Sequence, residues 1–255
     1  MIPFFRKIRW RLAANNQFLT YSRYALGEIV LVVIGILIAL QINNWNEERK
    51  SRQEEKDILK SVKLDFVNAI KECEENNEFR TRILTATREL YSIMRGKAHD
   101  YSEDQLDSII AVLLINPTYN SQTGSLEVLF NSGKINMIQD PEIKEALMLW
   151  PQVVEDIKED EVYSSEHLRY ELYPFIRKYI SVKDVNAQVD YKNLKMFEDL
   201  NSSPFASDYE SLFGNIEFEG ILAARELTLS VSQIQTKDLI DFAREIIVLI
   251  EDKTK

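Results

Sequence analysis

Residues 25–42 read ALGEIVLVVIGILIALQI, and within them Ile29 to Leu40 is an unbroken run of apolar residues and glycine. At 1.5 Å per residue, eighteen helical residues span about 27 Å, close to the hydrocarbon thickness of a bilayer. The run therefore predicts one membrane-spanning helix over residues 25–43, with the lipid bilayer as its first partner. A cleaved secretory signal also combines a basic start with an apolar run, but here 24 residues precede the run. The QINNWNEERK that follows offers no small-x-small pair for a signal peptidase. A core helix of a soluble protein fits less well, because such helices are rarely apolar on every face.

The flanks set an orientation. Residues 1–24 carry Arg6, Lys7, Arg9, Arg11 and Arg23 with no acidic residue, whereas the basic residues after the helix are interleaved with glutamates. The positive-inside rule then places the N-terminus in the cytoplasm, the basic residues against the inner leaflet, and residues 44–255 on the exported side. Tyr21 and Tyr24 before the span and Trp45 after it stand where interfacial aromatic anchors are expected. The start, IPFFRKIRWRLAANN, mixes aromatic and aliphatic residues with the basic ones, which suits a short amphipathic helix on an anionic surface.

The stretch from MIPFFRKIR through GEIVLVVIGILIALQINNWNEERK resembles the N-terminal signature of an uncharacterised family of Gram-negative bacterial membrane proteins, catalogued as a domain of unknown function. The resemblance implies a single-pass inner-membrane protein with a periplasmic helical domain and no established activity. Type IV pilins also begin with a basic leader, a glycine and a glutamate-bearing apolar helix. In those proteins the glutamate lies five residues beyond the processed glycine, whereas Glu28 directly follows Gly27, and the exported part here is not strand-rich.

Composition supports an all-α domain. Glycine (7) and proline (6) make about 5% of 255 residues, where proteins ordinarily carry roughly 12%. So few turn formers imply long uninterrupted helices and argue against sandwiches and propellers. Leu59, Val62, Phe66, Ala69, Cys73, Asn76, Arg80, Ile83, Thr87, Leu90 and Met94 follow heptad spacing, with a polar patch at Asn76 and Arg80. This helix continues the membrane span to Gly96, with a break expected at Glu74 to Asn77. Ser102 and Gln105 form a capping box opening a helix through Leu114. After the loop NPTYNSQTGS, Ser125 to Asn131 reads as a short helix ended by Gly133. Asp140 with Pro141 opens a helix to about Tyr173 that Pro151 should kink or interrupt. Residues 181–208 read as loop. From Asn215 a closing helix runs through Phe218, Leu222, Leu227, Val231, Ile234, Leu239, Phe242, Ile246 and Leu249, with a break expected near Thr236. Long helices at both ends of one domain predict an antiparallel helical bundle.

Net charge is −10, but the two parts differ. Residues 1–43 hold five basic and one acidic residue, giving +4, while residues 44–255 hold 26 basic and 40 acidic, giving −14. With a pI near 4.9, the acidic domain argues against a nucleic-acid partner. The seven glycines fit neither phosphate-binding nor dinucleotide-binding spacing, so no cofactor is implied. A single cysteine excludes a cysteine zinc site and an intrachain disulfide. Cys73, on the heptad face, reads as a core residue, with an intermolecular disulfide as the alternative. His99 falls in a surface turn. Asp160, His167 and Glu171, beside the acidic run Glu155 to Glu161, could face one way and hold a metal, although a solvated acidic face is commoner.

In the membrane helix, Glu28, Gly35 and Ala39 share one face at 100° per residue. A carboxyl together with a small-xxx-small pair predicts a helix–helix interface and a homo-oligomer. The alternatives are a Glu28 that reaches the inner headgroups and is merely tolerated, and a proton- or ion-driven complex that uses it. The expected protein is thus a non-enzymatic anchored module, sensor, adaptor or scaffold, acting on an unknown protein partner. An exported metal-dependent enzyme is the weakest alternative.

Overall fold

The computed structural model describes residues 18–120, 123–191, 194–195 and 202–254. Arg6, Lys7, Arg9 and Arg11, and with them the expected amphipathic segment, lie outside the described residues. The chain divides into two units, Met1–Asp57 and Ile58–Lys255.

The first unit is built on helix α1, Phe18–Ser92. Its apolar part is long enough to cross a membrane: the best 18-residue window has a mean hydropathy of 2.6, and none of it is buried. Tyr21, Arg23 and Tyr24 fall on its first turns. Glu28 is half-buried, and Gly35 and Ala39 are exposed. Trp45, 64% exposed, lies beneath the Arg49 guanidinium, 5.9 Å from its ring centre.

The second unit is all-α. Its elements are the rest of α1, then α2 (Glu103–Leu113), α3 (Gly124–Asn131), α4 (Pro141–His167), α5 (Tyr173–Ile176), α6 (Val182–Ala187), α7 (Tyr209–Phe213) and α8 (Ile216–Thr254). A two-residue ladder pairs β1 (Asp190–Tyr191) with β2 (Leu194–Lys195). Helix α1 ends where Gly96 turns left-handed at φ 102°, the conformation that glycine enters without steric cost. The Ser102–Gln105 capping box opens α2. Asp140 caps α4 through the amides of Glu142 and Ile143. His99 is exposed in a 3-10 turn, Ala98–Asp100.

Helices α1 and α8 run antiparallel. Lys63 meets Glu251 at 2.6 Å, Glu74 meets Arg244 at 2.9 Å, Arg80 meets Thr236 at 2.8 Å, Thr81 meets Gln233 at 2.8 Å, and Arg88 meets Glu226 at 3.3 Å. Rising numbers on one helix meet falling numbers on the other. Helix α4 packs along α8. Two apolar clusters result. One gathers Leu59, Phe66, Cys73, Trp150, Ile157, Leu239 and Ile246. The other gathers Ile83, Leu90, Ile110, Leu172, Phe175, Phe218 and Leu229. Trp150 joins the first by packing edge-on against Phe66, with ring centres 4.8 Å apart.

Several expectations are corrected. Helix α1 passes through Glu74 to Asn77 without a break: the Asn76 side chain bonds across the bundle to the Thr118 carbonyl, and the Asn77 side chain accepts from Arg80 one turn further along the same helix, so neither turns the chain. Helix α4 runs through Pro151, which stands on the exposed face, where the ring meets solvent rather than core. It gives way instead to a wide turn, Leu168–Leu172, just before Pro174, which lacks the amide an α-turn would need. Residues 182–187 are helical because Ser181 caps the amide of Asp184.

Helix α8 does not break at Thr236, and its middle is turned inside out. Leu227 is 68% and Ile234 64% exposed, and Val231 also faces out. Arg225, Ser232 and Thr236 are buried in their place. The apolar periodicity there marks the outer face.

Candidate functional site: a buried polar band

The inward polar residues of α8 belong to a band between the two apolar clusters. On α1 it begins after Cys73 with Asn76 and Arg80. On α4 it follows Ile157 with Glu161, Ser164 and His167. On α8 it comprises Ser232 and Thr236, with Arg225 lying further along between Leu222 and Leu229.

Arg80 and Glu161 form its centre. The Arg80 Nη2 donates to Glu161 Oε1 at 2.6 Å, and Nη1 donates to Thr236 Oγ1 at 2.8 Å and Asn77 Oδ1 at 3.1 Å. Burial pushes the Glu161 carboxyl up and the Arg80 guanidinium down from their ordinary values, while each partner's charge opposes the shift. The second Glu161 oxygen accepts the backbone N–H of Tyr119 at 2.9 Å.

That bond explains why the band exists. The chain between α2 and α3 runs through residues 115–120 without a helix, partly buried, with Thr118 and Asn120 exposed, and the backbone groups it carries inward must find partners outside regular structure. Side chains of three helices supply them. The Ile115 carbonyl accepts from Arg225 at 2.7 Å, and the Thr118 carbonyl accepts from Asn76 at 3.1 Å. The Asn120 amide donates to Glu72 at 2.8 Å. The Asn116 side chain is held between Ser164 at 2.9 Å and Ser165 at 2.6 Å. Beside this strap lies an open groove of about 440 Å³ with Thr118, Tyr119, Glu161, Ser165 and Tyr170 among its walls.

A second cross-helix device sits further along. Asp65 of α1 accepts the amides of Ser125 at 2.7 Å and Leu126 at 3.0 Å, and the Ser125 hydroxyl at 3.1 Å. Thr123, at the N-cap of α3, makes no side-chain cap of its own, so a neighbouring helix supplies it.

The residues singled out for chemistry are placed differently from expectation. Asp160 accepts from Gln235 of α8. His167 is 4% exposed, 3.4 Å from the exposed Glu171, in an approach that makes no hydrogen bond. Among the described residues no group of three His, Cys, Asp or Glu is arranged to hold a metal. The run Glu155 to Glu161 is not a uniformly solvated face, since Glu161 is buried. Cys73 is buried in the first apolar cluster, and desolvation pushes its thiol up to about 12, which keeps it protonated and inert. Arg80 appeared in the sequence as a polar interruption of a heptad, but its partner lies 81 positions away. Arg225 carried no sequence signal.

No curated protein and no solved structure matches the chain. Residues 28–196 match DUF6090, a family of unknown function. The matched region runs from the apolar part of α1 through the strap, the buried ion pair and α4 to α6, well over half of the chain, and the protein belongs to this family.

Proposed function

We propose that this is a single-pass, membrane-anchored, non-enzymatic module of the bacterial inner membrane, with the N-terminus in the cytoplasm and the acidic helical domain in the periplasm. The observation that carries the reading is the apolar part of α1, an 18-residue window of mean hydropathy 2.6 with no part buried. Such a surface is costly in water and matched by lipid. The five basic residues before the span, Arg6, Lys7, Arg9, Arg11 and Arg23, with no acidic residue among residues 1–24, support the orientation. The described polar residues of the band are engaged mainly in holding the strap, which favours a scaffold, adaptor or sensor over catalysis. Gly35 and Ala39, exposed on the spanning segment, offer the close approach that lets a second copy associate.

The test is fractionation of the full-length protein followed by intact mass measurement. An anchor stays in the membrane pellet after an alkaline carbonate wash and retains residues 1–24. A chain shortened before residue 44, released to the soluble fraction, would instead identify a cleaved signal.

A further inference from the structure

Once the strap is accounted for, one charge in the interior is left over. Arg225 is 1% exposed, between Leu222 and Leu229. Its Nη2 donates to the Ile115 carbonyl, while its Nε and Nη1 have no hydrogen-bond partner. Desolvation alone acts on it, lowering its pKa to about 10. Among the described residues no carboxylate pairs with it: Glu161 serves Arg80 and Tyr119.

His167, on the helix packed against α8, is 4% exposed; neither ring nitrogen makes a hydrogen bond, and Nε2 lies 3.4 Å from a carboxylate oxygen of Glu171. Burial holds this imidazole below its ordinary value; of the charged groups acting on it, Glu171 from its own helical run opposes that shift and Arg225 from α8 adds to it. A guanidinium cannot shed its charge as a lysine can, and an unpaired charge in an apolar interior is strongly unfavourable. Two buried basic side chains that feel each other's charge, with four nitrogens that make no hydrogen bond, fit a negative charge.

We propose that Arg225 and His167 bind one small monovalent inorganic anion inside the bundle, chloride being the simplest, and that the anion enters together with a proton on His167. Arg225 supplies the permanent charge. The anion offsets the Arg225 repulsion that adds to burial in keeping His167 neutral, so anion binding and His167 protonation reinforce each other.

The test is thermal unfolding of the full-length protein in detergent, with chloride replacing gluconate at constant ionic strength, at pH 8 and pH 5.5. We expect the Tm to rise by about 3–5 °C per tenfold chloride above the dissociation constant, starting at lower chloride at pH 5.5. Arg225→Leu, which fills the site with an apolar side chain, should fold and lose the chloride response. His167→Gln should keep the response and lose its pH dependence. A wild-type protein that does not distinguish chloride from gluconate, or an Arg225→Leu variant that responds equally, would overturn the site. A pH dependence that survives His167→Gln would overturn the proton coupling.

Discussion

Arg80 of α1 donates to Glu161 of α4 across 2.6 Å, with both side chains sealed from solvent. Glu161 in turn carries the amide of Tyr119, so one ion pair joins two long helices to the strap between α2 and α3. Removing one member of such a pair leaves the other charged and buried. Glu161→Ala should therefore lose about 3–5 kcal/mol of stability. Arg80→Met combined with Glu161→Met should lose less than Glu161→Ala alone, because neither charge is then stranded. Urea unfolding of the single and double variants gives the comparison.

The Asp65 cap predicts a local effect. Asp65→Ala strands the amides of Ser125 and Leu126 and should cost about 1–2 kcal/mol. Hydrogen exchange at those two amides should accelerate, while the amides of α2 keep their protection.

Asp107 of α2 accepts the hydroxyl of Tyr209 in the second apolar cluster. Burial raises its pKa to about 6, against the lowering effect of that bond, while Asp184, Asp104 and Glu103 add to the rise. A carboxyl raised above its unfolded value contributes stability at low pH that is lost as the pH climbs through the folded value. This contribution should be complete below about pH 4 and lost by pH 7. Asp107→Asn, which keeps an acceptor for Tyr209, should flatten that part of the stability profile. His167 works in the opposite direction. With its folded value lowered, its contribution is present above pH 6.5 and lost as the pH falls through the folded value.

Local chemistry made much of this fold legible. Ser102 with Gln105 and Asp140 with Pro141 are caps written within four residues, and the structure uses both. The heptad from Leu59 to Cys73 buries as its spacing requires. What stayed hidden depends on pairs distant in sequence. Glu161 looks like one more member of an acidic run until α1 brings Arg80 to it. Leu227, Val231 and Ile234 repeat like a core face, yet face outward because the opposite face carries Thr236 inward to Arg80. Residues 182–187 read as loop on their polar composition, and the helix there shows only once Ser181 is seen to cap the amide of Asp184.

For the membrane segment, a bulky side chain at Gly35 should block close helix approach. Gly35→Leu should weaken self-association in a membrane two-hybrid assay, while substitution of Leu37 by another large apolar residue leaves it intact. Equal signals from both would remove Gly35 from the contact.

The anchored, exported arrangement is tested most directly by alkaline phosphatase fused after Lys255 and assayed in carbonate-washed membranes of the bacterial host. The account predicts an active enzyme retained in the membrane pellet. An inactive fusion in that pellet would contradict the orientation, and activity found only in the soluble fraction would contradict the anchor.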